Sequence, residues 1–284
     1  MDRLDRNEES DRLIEALIQL LGEEEGHLKV VQQKLIEIGS PALPALLKCK
    51  NEGTPIISER AEKIIETIRL GEMDQEWRHY AAKEPCPLEE GVFLLARFAD
   101  PKIDPRHYQA HLNRMADVLR DRIQALSSPA EILQAISHYL FSELGFSGNR
   151  EDYYLPENSY IHTVLETKKG IPISLSTLML LLGERLNLPL YGIGMPGHFL
   201  VQWSDAAHDI FIDPFNQGKM MTRQEIASQL SADEAKFVNR YLQKVSTRQL
   251  LARMIRNLIH VYTEAGEVDK GTWLGRFHER IRFS

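Results

Sequence analysis

From Pro172 to Leu182 the chain spells a helix without a polar face. Proline suits the first helical position, where its fixed φ is already helical and its missing N–H would be unpaired anyway. After it, from Ile173 to Leu182, only Ser174, Ser176 and Thr177 are polar. A helix apolar on nearly every side has to be wrapped by the rest of the fold, so the core is expected to form around it. Downstream the period changes. Leu190–Gly194, Phe199–Trp203 and Asp209–Ile212 are short β-rich runs cut by Gly, Pro and polar turns, and residues 204–208 read as a hairpin connection.

The rest of the chain reads as helical. Leu13, Ile14, Leu17, Ile18 and Leu21 repeat at three- and four-residue spacing, and Val30, Val31, Leu35 and Ile38 do the same before a Gly39 stop. Ser40 as N-cap with Pro41 behind it starts a third helix. Ala61, Ile64, Ile65 and Ile68 line a fourth, capped by Ser58. Pro85 and Pro87 mark a boundary. Helices are then expected over 89–100, over 105–126, and from a Ser128–Glu131 capping box to near Gly145. Helix returns from Thr222, and 250–265 with 271–281 suggests an antiparallel pair about Gly266-Glu267.

The chain of 284 residues carries 34 basic and 41 acidic side chains, a formal charge of −7. That charge disfavours nucleic acid as a partner. The charged first ten residues do not begin a signal peptide, and no apolar run approaches a membrane span. A cytoplasmic protein without a membrane partner is the expectation. Two cysteines, Cys49 and Cys86, lack metal or disulfide spacing, and no cofactor is expected.

Chemistry concentrates near the apolar helix. His198 opens a strand after Pro196-Gly197, and Asp213 lies fifteen positions on, across one hairpin. Adjacent antiparallel strands can bring the two together, with the carboxylate fixing the imidazole's tautomer. A nucleophile belongs at the start of the helix, where the dipole favours an anion. Only Pro172 and the hydroxyls of Ser174 and Ser176 stand there, and those hydroxyls can equally cap the helix or bond back to its carbonyls. Upstream, residues 148–160 form a polar–aromatic loop whose Asn149, Tyr154, Asn158 and Tyr160 can line a cleft with Pro172 and Phe215. The alternative is that Asn158-Ser159 caps the helix that follows. Metal binding by His198, Asp213 and His162 has no recognisable ligand spacing.

The segments around Asn149, Pro156–Tyr160, Gly170–Ser176, Pro196–Val201 and Asp213–Gly218 resemble the bacterial SirB-type family of transglutaminase-like and TPR-repeat proteins. The likeness covers roughly residues 89–260. It implies an α+β, mostly helical fold: a transglutaminase-like (papain-like) core with a central buried helix and a small antiparallel sheet, flanked by helical repeats. It also puts His198 and Asp213 at the superfamily's catalytic His and Asp positions, with Pro172 where the Cys would stand. The phrase from Leu35 to Leu47 resembles a HEAT-type repeat. The expected organisation is a HEAT-like segment at 1–75, a SirB-type domain at 85–245 (lead-in 89–145, core 146–225) and a TPR-like hairpin at 246–284. The expected function is non-catalytic binding of a peptide or protein partner in a degenerate cleft. The alternative is a hydrolase or amidase using Ser174 or Ser176 with His198 and Asp213.

Overall fold

The structure is a computed structural model that describes residues 4–22, 25–228, 230 and 238–282. It divides into two units, residues 1–76 and 77–284.

The first unit consists of α1 (Leu4–Gln19), α2 (Glu25–Ile38), α3 (Leu43–Glu52) and most of α4 (Pro55–Ala81). Its core gathers Ile14, Leu17, Leu21, Val31, Leu35, Leu46, Ile64 and Ile68. The buried stripes are narrower than the apolar spacing predicts, since Leu13 is half exposed and Val30 more so. Two expected caps are absent. Ser40 sits inside a 3₁₀ turn, Ser40–Ala42, whose N-cap is Gly39, and its hydroxyl donates to Glu72 instead. Ser58 lies within α4, not before it, and donates to the Lys50 carbonyl at 2.6 Å.

The second unit begins with α5 (Leu88–Ala99), α6 (Pro105–Ile123) and α7 (Pro129–Ser137). Ser128 is the N-cap residue of α7, but its side chain makes no capping bond. The helical path then widens into a π turn, His138–Glu143, which the spacing of apolar residues did not announce. A short strand β1 (Ser147–Gly148), α8 (Ile161–Thr167) and β2 (Lys169–Gly170) lead into α9 (Pro172–Arg185); β1 and β2 pair in parallel. Strands β3 (Leu190–Met195), β4 (His198–Ser204), β5 (Asp209–Asp213) and β6 (Lys219–Met221) form an antiparallel meander. After it come α10 (Arg223–Ser228), α11 (Val238–Tyr241), α12 (Thr247–Glu264) and α13 (Val268–Arg282). Of the helix expected from Thr222 onward, residues 229 and 231–237 lie outside the described residues.

The apolar helix takes the place its composition requires. Every residue of α9 from Pro172 to Gly183 is buried. Each Leu, Ile or Met there contributes about 2 kcal/mol by leaving water. The sheet covers one side of α9, and α6, α8 and α12 complete the wrapping. Ile193, Leu200, Phe211 and Met221 of the sheet also pack with Ile226 in a further apolar cluster. The last two helices form a hairpin whose Phe277 stacks on Trp77, with ring centroids 5.8 Å apart. The result is a mostly helical α+β fold with one small antiparallel sheet. Among the described residues, no helix is long and apolar enough to cross a membrane.

Candidate functional site: a His–Asp cleft at the start of the buried helix

The register of the sheet creates the pair. Val201 stands opposite Ile212, so one step further Asp213 faces Leu200 and lies diagonal to His198 on the same side of the sheet. The Pro196-Gly197 turn delivers His198 to the strand end, and Gly197 accepts the required φ of +63°. His198 Nε2 lies 2.8 Å from Asp213 Oδ2. The carboxylate is almost fully buried, while a quarter of the imidazole remains open.

Asp213 is held by more than histidine. It caps the 3₁₀ turn Pro214–Asn216, accepting from the Asn216 backbone N–H at 3.2 Å and from Asn216 Nδ2 at 2.7 Å. Burial alone raises its carboxyl pKa. The hydrogen bond and charge of His198 and the two bonds from Asn216 outweigh burial and hold it below the ordinary carboxylate value.

The polar–aromatic loop forms the facing wall. Asn149 Nδ2 donates to Asn158 Oδ1 at 3.1 Å, and Asn158 Nδ2 donates to the Asp152 carbonyl at 2.6 Å. These bonds keep the loop folded and present Arg150, Tyr153 and Tyr154 to the cleft. The cleft measures about 600 Å³, with Pro172, His198, Phe215 and Asn216 on its other sides. Phe215 packs edge-on to both His198 and Tyr153. Its ring lies so close to the backbone of Gly148 that an added Cβ would come within 2.5 Å of it.

Of the six residues expected to line the cleft, Tyr154, Pro172 and Phe215 do so. Asn149, Asn158 and Tyr160 stand behind the surface. The two asparagines brace the loop, and the Tyr160 hydroxyl meets that of Tyr262 at 3.0 Å in the interior. Asn158 does not cap α8, whose N-cap residue is Tyr160 and has no side-chain capping bond. Sequence reasoning missed Arg150 and Asn216. The second could have been read from the Asp213-Pro214-Phe215-Asn216 spacing, which fits an aspartate-capped turn.

The serines do not join the dyad. Ser174 is fully buried; its hydroxyl accepts from the Ile171 N–H at 3.0 Å and lies 2.5 Å from the Asn158 carbonyl, to which it donates. Ser176, also fully buried, donates to the Phe199 carbonyl at 3.3 Å. Both hydroxyls are occupied by main chain, and neither lines the cleft. Cys86 is buried elsewhere in the unit, its thiol directed at the Lys83 carbonyl and its pKa raised by desolvation. Cys49 belongs to the first unit. His162 is buried beside Tyr108 and Tyr160, away from the pair, and among the described residues no cluster suited to a metal is present.

A buried helix against an antiparallel sheet, with His and Asp on neighbouring strands at the helix start, is the frame of a transglutaminase-like protein. A family model described as the transglutaminase-like superfamily matches residues 106–256, and the chain belongs to that superfamily. Within it the chain belongs with the UPF0162 proteins. It is 32% identical over 202 residues to one from Xylella fastidiosa (strain Temecula1 / ATCC 700964), covering 68% of this chain and 72% of that protein. A second, from Vibrio cholerae, is 35% identical over 59% of this chain and 63% of its own length. The mouse (Mus musculus) F-box only protein 21 is 34% identical over 51% of this chain but only 24% of its own length. No solved structure matches the chain.

Proposed function

We propose that the cleft is a binding site without covalent chemistry, holding a peptide or protein segment where related folds would hold a substrate. The observation that carries this reading is the occupancy of the helix start. Pro172 presents no nucleophile to the cleft, and the nearby hydroxyls of Ser174 and Ser176 are committed to main-chain partners. The His198–Asp213 pair keeps a partly open imidazole in an aromatic cleft large enough for several side chains. The hydrolase alternative gains nothing from this geometry, because a serine nucleophile needs its hydroxyl free to meet the imidazole. We also read the first unit as HEAT-like, the α12–α13 hairpin as TPR-like and the whole as SirB-type, in keeping with a scaffold role.

Replacing the exposed Tyr154 by the photocrosslinker p-benzoylphenylalanine tests the reading in cells. The expected result is a covalent adduct with a peptide segment that disappears when His198→Ala is added. A purified chain that turns over an ester or amide, with the activity lost in His198→Ala, would overturn it.

A further inference from the structure

Among the described residues, two arginines around the cleft stand without a counter-ion, in a chain that is negative overall. Arg150 lies over the Phe215 ring at 4.9 Å and donates to Asn216 Oδ1, and it has no acidic partner among the described residues. On the His198 side, the half-buried Arg253 donates to the main-chain carbonyl of His198 at 2.8 Å, again with no carboxylate on it among the described residues. Burial first, and the neighbouring charge of Arg256 second, push its guanidinium below its ordinary pKa. Buried or half-buried arginines usually have an acid beside them. Among the described residues no Asp or Glu lines the cleft, and the Asp213 carboxylate beneath it is taken up by His198 and Asn216.

A second, smaller hollow of about 60 Å³ adjoins the first, sharing Tyr153 and Tyr154 with it. Its lining is mainly apolar, with Leu155, Ile171 and Val261, and His260 stands edge-on to Tyr154 at its rim. At roughly 15 Å³ of such volume per water, it has space for about four heavy atoms, the size of a branched aliphatic side chain. Two adjoining compartments, one bearing Arg150 and His198 and one mainly apolar, exceed what a small free acid would fill.

Resting on the binding reading above, we infer that the occupant is an extended peptide segment with an acidic side chain between Arg150 and His198 and a nearby aliphatic side chain in the Tyr154–His260 hollow. Charge complementarity selects the first group and shape the second. The acidic group is a side chain, not a chain terminus.

Selection of a ribosome-displayed library of random decapeptides, followed by a constant Gly-Ser tail, on the full chain tests this. Selected peptides are expected to carry Asp or Glu close to Leu, Ile or Val. Their affinity should fall at least tenfold in Arg150→Ala, and Arg150→Glu should select Lys or Arg instead. Arg150 is exposed, so neither variant should impair folding. Binders that need His198 and Tyr154 but show no acidic preference and ignore Arg150 would overturn the charge assignment alone. Selected decapeptides that, synthesised without the tail, bind the cleft only through their free C-terminal carboxylate and not as C-terminal amides would overturn the side-chain assignment. A library yielding no cleft-dependent binder would overturn both this inference and the binding reading beneath it.

Discussion

The two sides of the cleft have been kept to different standards. On the sheet side, β4 and β5 hold an imidazole against a buried carboxylate that accepts two further hydrogen bonds from Asn216. On the helix side, Pro172 lines the cleft from the first turn of α9, and the hydroxyls just behind it tie main chain together. A site retired from chemistry by drift alone would be expected to lose its costly buried charge first, because an ionised carboxylate in an interior is tolerated only while its partners remain. Here the buried carboxylate has its partners in place. On the binding reading proposed above, the His–Asp pair holds one cleft wall in a fixed, hydrogen-bonded shape.

The sharpest way to break that contrast is Asp213→Ala. It strips His198 and the Asn216 turn of their acceptor at once and should cost about 3 kcal/mol of stability, read as a shift in the urea midpoint. A loss under 0.5 kcal/mol would mean that the dyad is not part of the framework. The pH dependence sharpens the same point. The folded carboxyl sits below its unfolded value, so its contribution is complete above about pH 4 and is lost as pH falls through the folded pKa. Asp213→Asn should flatten the acid limb of stability against pH, and an unchanged limb would contradict the assignment.

Gly148→Ala drives a methyl into the Phe215 ring and should cost about 2 kcal/mol through forced repacking, measured by thermal melting. Ser174→Ala leaves the Ile171 N–H and the Asn158 carbonyl short of a buried partner, at about 1.5 kcal/mol, without altering labelling by a serine-directed phosphonate. If phosphonate labels the parent chain and the variant loses it, the helix side is not retired. Pro172→Cys should change stability least, by about 0.5 kcal/mol. Yet the new thiol, in the first turn of α9 and facing the cleft, should react with iodoacetamide at pH 7 about tenfold faster than Cys86. Equal rates would show that the helix side no longer has the geometry of a nucleophile's seat.

Much of this was legible in the sequence because it follows from period and polarity. An apolar run such as 173–182 can only be central, and Pro196-Gly197 before an alternating strand fixes where His198 falls. The pairing of His198 with Asp213 needed only a hairpin's length between them. What stayed hidden depends on partners far apart in the chain. Ser174 looks like a possible nucleophile until the Asn158 carbonyl, sixteen residues upstream, is seen to receive its proton. Asn158 in turn looks like a helix cap until its amide is found closing the Asp152 turn. Ser40 and Ser58 mislead in the same way, since a hydroxyl beside a helix start has several acceptors within reach and only tertiary packing chooses. The strand β6 is three residues long, and the β1–β2 pair is parallel and joins segments about twenty residues apart, so neither leaves a periodic signature.

The bond from Ser174 to the Asn158 carbonyl has a dynamic consequence. It fastens the Asn158 end of the tyrosine-bearing loop to the buried helix α9, so any opening of the loop pivots on that end. The hydrogen-bonded amides of Asn149 and Asn158 should exchange with deuterium more slowly than the exposed ones of Arg150 and Tyr154 between them.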